Sequence, residues 1–271
     1  MIDIFRIPLC IFFLALAFAS GNARALELTV ALSVHNPAQL HADKSADDYA
    51  GASLVALNAE LAREICLRIN ARCTVVNLPV NEILNEVEAA RIDLGFANYL
   101  RTPERERRVA FSDPLWRSSS RLLATPQTSQ AFAARLGQAV ILDNLRDARV
   151  AVIEGSQQQH YLEGLAEERK LSLLAVPTSF DAVTALRAGQ VDFALLPVVY
   201  AYALLRADAT LPALEFVGPA LTAHGLGGSS HIVLPRQKTG LRREVNQALG
   251  AMRADGTFQR IVRKHLPLGL D

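Results

Sequence analysis

Short runs of β-branched and apolar residues alternate along this chain with longer stretches whose apolar positions recur every three or four residues. Residues 26–32 (LELTVAL) predict a strand, and residues 51–70 (GASLVALNAELAREICLRIN) predict a helix with one apolar and one charged face. The order repeats with a strand at 73–78 (CTVVNL), a helix at 81–91 with Asn81 as its cap, and a buried strand at 92–98 (IDLGFAN). A short strand (RRVAFSD) and an extended segment (SSSRLLAT) follow, and residues 126–147 carry the least regular pattern. At residue 148 the alternation restarts. Strands are predicted at 148–155, 171–177, 190–197 and 229–235, with helices at 156–169, 179–189 and 198–207 between them. Residues 239–265 close the chain as two helices around Asp255-Gly256.

Strand and helix in alternation imply mainly parallel sheets covered on both faces by helices. The restart implies two such units, and no low-complexity or linker-like stretch separates them. Two α/β lobes held close together leave a cleft between them, a usual place for a small ligand.

The N terminus changes the picture of where the protein works. Arg6 precedes the apolar run Ile7–Ala19, and Ala23 and Ala25 stand at the −3 and −1 positions of a cleavage site. The run is shorter than the roughly 20 apolar residues needed to span a bilayer. Residues 1–25 are therefore expected to be a secretory signal peptide, cut after Ala25. Cys10 lacks the setting of a lipid-attachment cysteine, which points to a soluble periplasmic protein. Cleavage removes Arg6, Arg24 and Asp3 and leaves basic and acidic side chains equal in number. A chain without net positive charge is a poor binder of a phosphate backbone, so no nucleic-acid partner is expected. Cys66 and Cys73 remain. In an oxidising compartment so close a pair is expected to form a disulfide. A metal-binding pair is the alternative, but no Cys or His lies at ligand spacing nearby, and no metal or cofactor is expected.

Residues 101–108 (RTPERERR) hold four arginines interleaved with Glu104 and Glu106. A guanidinium can grip a carboxylate through two parallel hydrogen bonds inside a dry cleft. The same residue types can also make structural ion pairs with each other, and the residues alone leave both readings open.

Several segments coincide in order and spacing: EICLRINARC, ARIDLGFAN, RTPERERRVAFSDPLWRSSSRLL, RVAVIEGSQQQHY, ALRAGQVDFAL and VNQALGAMRADGTFQRIVRKH. Together they resemble the periplasmic solute-binding proteins for polar amino acids, especially those for lysine/arginine/ornithine and histidine, over nearly all of the mature chain. The resemblance implies a type II periplasmic-binding-protein fold. Lobe 1 would comprise residues 26–123 and 218–271, and lobe 2 residues 124–217, with two hinge crossings that let the lobes close on a ligand. It implies that Arg105 holds a ligand carboxylate, while Arg101, Arg107 and Arg108 face solvent or a partner and Arg121 serves the hinge. The turn EGSQQQ would add a helix N terminus in lobe 2, with Gly155, Ser156, Gln157 and Gln158 near the ligand. The implied partners are a small carboxylate ligand and the permease of an ABC importer, or a membrane sensor, with the binding protein itself a monomer.

The chain departs from that family where an ammonium group would bind. The acid at the end of the lobe 2 strand is Pro197 here, and a lobe 1 serine is Leu100, with Asn98 and Ala97 beside it. The family's acidic and aromatic positions after the first strand have no match in SVHNPAQLHAD, although Asp47 or Asp48 could supply a carboxylate. Burying an ammonium without an acid costs several kcal/mol. The expected ligand is therefore a carboxylate with an apolar or neutral polar remainder, lined by Val80, Leu100 and Pro197. A dehydratase-type enzyme is the remaining alternative and would need an acid near the lobe 2 turn, where Glu154 and His160 are the candidates. They suit surface positions better, and no enzymatic activity is expected. Exported from its native N terminus, the mature protein should begin at Leu26. Intact-mass measurement checks this, and a mass that retains residues 1–25 contradicts it.

Overall fold

Val30, Ala31 and Leu32 are completely buried because the strand that carries them has a neighbour on each side and helices on both faces. This computed structural model describes residues 26–34, 54–207 and 213–266. The expected signal peptide, Asp47 and Asp48 lie outside them.

Lobe 1 contains β1 (Leu26–Ser33), α1 (Leu54–Arg68), β2 (Ala71–Leu78), α2 (Val80–Glu88), β3 (Leu94–Leu100), α3 (Pro103–Arg108), β4 (Ala110–Phe111) and β5 (Arg117–Ser118). Lobe 2 contains β6 (Ser120–Ala124), α4 (Pro126–Leu136), β7 (Ala148–Ile153), α5 (Gln157–Glu163), α6 (Ala166–Arg169), β8 (Leu171–Val176), α7 (Ser179–Arg187), β9 (Phe193–Pro197), α8 (Val198–Ala207) and β10 (Glu215–Leu221). The chain then returns to lobe 1 as β11 (Gly228–Leu234), α9 (Thr239–Ala254) and α10 (Thr257–His265).

Among the described residues the lobe 1 sheet runs β2-β1-β3-β11-β4, with β5 also on β11, and the lobe 2 sheet runs β10-β6-β9-β7-β8. β1 pairs in parallel with β2 and β3, and β7 with β8 and β9. The strands that enter from the other lobe, β6 and β11, pair antiparallel with their neighbours. They arrive by a crossing rather than through a covering helix, so they need not run with the βα units. The result is two α/β lobes, each with its own mixed sheet, as expected from the sequence.

The lobe boundaries differ from those read in the sequence. The second sheet begins at Ser120 and ends at Leu221, because β6 and β10 form an antiparallel pair within it. The crossings therefore lie at 118–120 and 221–228. Gly227 sits in the second crossing, where a Cβ would come within 2.8 Å of both the Ser118 carbonyl oxygen and Thr222 Cα. One buried apolar cluster joins Leu54, Leu57 and Leu61 of α1 with Val199 and Tyr200 of α8, and α8 packs directly on α1 across the lobes.

Other differences have local causes. α2 starts at Val80 with Pro79 as its cap, two residues ahead of the expected cap Asn81. The irregular stretch 126–147 opens with α4, which buries none of its residues and so carries little apolar period. Its start is set by Thr125, whose hydroxyl accepts from the Thr128 N–H, and by Pro126 at the first helical position. The expected helix 156–169 breaks at Gly164 into α5 and α6.

Cys66 and Cys73 are bonded, with Cα atoms 6.3 Å apart, and tie the last turn of α1 to β2. So short a closed loop contributes about 2.5 kcal/mol in the chain-entropy description. Replacing both cysteines by serine should lower the melting temperature by about 5–10 °C. A melting temperature unchanged within a degree contradicts that contribution.

Candidate functional site

The C-terminal ends of the parallel strands in both lobes open onto one cleft, as expected for α/β sheets. Ser33 ends β1 and Val34 follows it, Asn98 and Leu100 end β3, Ser156 follows β7, Pro177 and Thr178 follow β8, and Pro197 ends β9. All of them line the cleft.

Arg105 is brought there by α3. Thr102 caps this helix, its hydroxyl accepting from the Arg105 N–H at 3.3 Å, and Pro103 fixes the first helical residue. A single helical turn then points its four positions in different directions. Arg105 is buried at 6% exposure, while Arg107 is exposed. Arg101 pairs with Glu106 and Arg108 with Glu88, so these flanking cations are engaged at the surface.

The Arg105 guanidinium donates to the Leu100 carbonyl (3.2 Å) in its own lobe and to the Gly155 carbonyl (3.2 Å) in the other, and lies over the Tyr99 ring at 5.1 Å. Among the described residues it makes no ion pair, and none of those lining the cleft is an acid. Burial holds the Arg105 pKa below its ordinary value and raises that of Tyr99 above it. Taking a cation out of water costs several kcal/mol, and two neutral carbonyls offset only part of it. The site is therefore electrostatically prepared for an anion.

Tyr200 of α8 closes the other side. Its hydroxyl donates to the Ala97 carbonyl at 2.8 Å and accepts from Asn98 Nδ2 at 3.4 Å, and burial pushes its pKa up to about 12. Asn98 has a left-handed backbone (φ 53°), a conformation asparagine tolerates better than most residues. Its Oδ1 is buried without a hydrogen-bond partner, as is the hydroxyl of Ser179. An unsatisfied buried polar group costs roughly 1–3 kcal/mol.

The sequence-predicted residues fall as follows. Arg105, Asn98, Leu100, Val80, Ser156, Gln157, Gln158 and Pro197 all line the cleft. Gln158 is committed elsewhere. Its Nε2 donates to Ser120 Oγ (2.7 Å), which donates to the Leu226 carbonyl (2.6 Å), so it braces the hinge. Ser156 caps α5, accepting from the Gln159 N–H at 3.1 Å. Gly155 (φ 69°) allows a close approach to lobe 1 itself, since a Cβ there would stand 2.9 Å from Asn81 Cβ. Arg121 supports β10, donating to the Gly218 carbonyl at 2.6 Å and stacking on Phe216. Glu154 and His160 are exposed and do not line the cleft. Sequence reasoning missed Ser33, Trp116, Thr178, Ser179 and Tyr200. The available signal was their place just after predicted strands or at helix starts.

Residues 30–267 match the profile of the bacterial extracellular solute-binding proteins, family 3. The chain belongs to this family. It is 27% identical to the histidine-binding periplasmic protein of Salmonella typhimurium over 214 residues, 78% of this chain and 79% of that one. It is 26% identical to the lysine/arginine/ornithine-binding periplasmic protein of Escherichia coli over 251 residues, 92% of each. A structure of an arginine transport-system periplasmic binding protein from Legionella pneumophila shares the fold, with a TM-score of 0.71 at 20% identity over 89% of this chain and 100% of that one. This family 3 protein thus belongs among binding proteins rather than enzymes.

At Gly155 the lobes of this family 3 protein leave no room for a Cβ opposite Asn81. Gly155→Ala should hinder closure and lower the melting temperature, and the loss should shrink in an Asn81→Gly background, where the opposing Cβ is gone. Equal losses in both backgrounds, measured by thermal unfolding, contradict the contact.

Proposed function

We propose that the protein is a periplasmic solute-binding component of an ABC importer that closes its lobes on a small carboxylate. The mature chain would begin at Leu26 after export, work as a monomer, and present its closed form to a membrane permease. The observation that carries this reading is Arg105, a buried cation at the lobe boundary that makes no ion pair and has no acid among the described residues lining the cleft. The relatives' names support amino-acid-like ligands in general. The neutral lining, with Pro197 at the end of β9, supports a ligand whose remainder is apolar or neutral rather than cationic.

Calorimetry after unfolding and refolding to strip carried ligand tests this. A carboxylate found to bind wild type should lose about 2–5 kcal/mol of binding on Arg105→Ala. Arg105→Lys should recover only part, because an ammonium cannot form the two-pronged contact. At a hundred times its dissociation constant the ligand should raise the wild-type melting temperature by about 5–10 °C. Equal affinity of wild type and Arg105→Ala for every binding carboxylate overturns the reading.

A further inference from the structure

The cleft has a second polar pole, built from both lobes, that the Arg105 contact leaves unused. On lobe 1 it is Asn98. The Tyr200 hydroxyl spends its one proton on the Ala97 carbonyl, so its oxygen can only accept from Asn98. Asn98 must therefore turn Nδ2 toward Tyr200, which leaves Oδ1 as a buried acceptor with no partner. On lobe 2 it is Ser179, the first residue of α7. The helix cap is already provided by Thr178, whose hydroxyl accepts from the Asp181 N–H at 3.2 Å. Ser179 is fully buried, lines the cleft and has a hydroxyl with no partner. The two oxygens want hydrogen-bond partners, and one of them can only accept.

We propose that Asn98 and Ser179 together receive an uncharged O–H or amide N–H of the ligand, making this a site for carboxylates with a neutral donor rather than a free ammonium. This rests on the reading of Arg105 as the carboxylate holder. An ammonium would bring a second cation into the cleft that holds Arg105, close to the positive end of α7, with no acid among the described lining residues to balance it. A hydroxyl or amide satisfies Asn98 Oδ1 without that charge, and a ligand hydroxyl oxygen can also accept from Ser179 Oγ.

Matched ligands separate the possibilities. L-lactate, L-alanine, N-acetyl-L-alanine and propionate form one set. The corresponding 2-hydroxy, 2-amino, N-acetyl and unsubstituted acids of the leucine and phenylalanine side chains form two more. Binding is measured by calorimetry on wild type, Arg105→Ala, Ser179→Ala and Asn98→Asp. Within the best-binding set, the hydroxy or N-acetyl acid should bind at least about tenfold tighter than both the amino acid and the unsubstituted acid. Ser179→Ala should reduce that preference while binding stays dependent on Arg105. Asn98→Asp keeps the shape, supplies a negative acceptor, and should turn the preference toward the amino acid. Tightest binding of the amino acid by wild type, or a neutral-donor preference unchanged in both variants, overturns the proposal. Equal affinity for all members of a set that binds through Arg105 overturns this proposal alone. Failure of every carboxylate to bind wild type overturns both it and the carboxylate reading beneath it.

Discussion

Arg105, held at 6% exposure between two sheets, must have its charge compensated, and among the described residues its guanidinium has only carbonyl oxygens as hydrogen-bond acceptors. One of them, on Leu100, belongs to the same lobe; the other, on Gly155, belongs to the opposite lobe. Its electrostatic satisfaction is thereby coupled to lobe closure. In the proposed function, opening the lobes would exchange the Gly155 carbonyl for water. A carboxylate in the closed cleft replaces a neutral acceptor by an anion at low dielectric, where the gain is largest. A ligand shifts a conformational equilibrium only by its difference in affinity between the states. In the proposed function Arg105 supplies that difference, because its guanidinium contacts both lobes.

The rest of the structure keeps this arrangement in register. Thr102 and Pro103 start α3 so that one of its three arginines turns inward. Gln158, Ser120 and the Leu226 carbonyl form a buried chain that ties α5 to both crossing segments. Gly155 and Gly227 remove side chains where the lobes and crossings come closest. Tyr200 reaches from α8 to the end of β3 and fixes which face Asn98 shows the cleft.

The βα units were legible in the sequence because a strand buried on both faces, such as 148–153, and an amphipathic helix, such as 54–68, each leave a strong local period. α3 and α4 were not. α3 is a short helix of almost wholly charged residues, and α4 has no fully buried residue, so only their Thr-Pro starts announced them. β10 was hidden for a related reason. Gly218 and Pro219 interrupt it, and its register against β6 shifts there. In the site, the resemblance to the family marked both Arg105 and the loss of an acid at Pro197. Ser179 and Tyr200 offer only their places at predicted helix starts. Their role comes from topology, which gathers the ends of distant strands and the starts of their helices into one cleft.

The most direct test of the account is a crystal structure of the protein purified without unfolding, so that any ligand carried from the cell stays in place. The account predicts density for a carboxylate held by two parallel hydrogen bonds from the Arg105 guanidinium, with its other end against Asn98 and Ser179. A cleft closed on Arg105 while its guanidinium still rests on the Leu100 and Gly155 carbonyls, around a bound molecule without an anionic group, would contradict it.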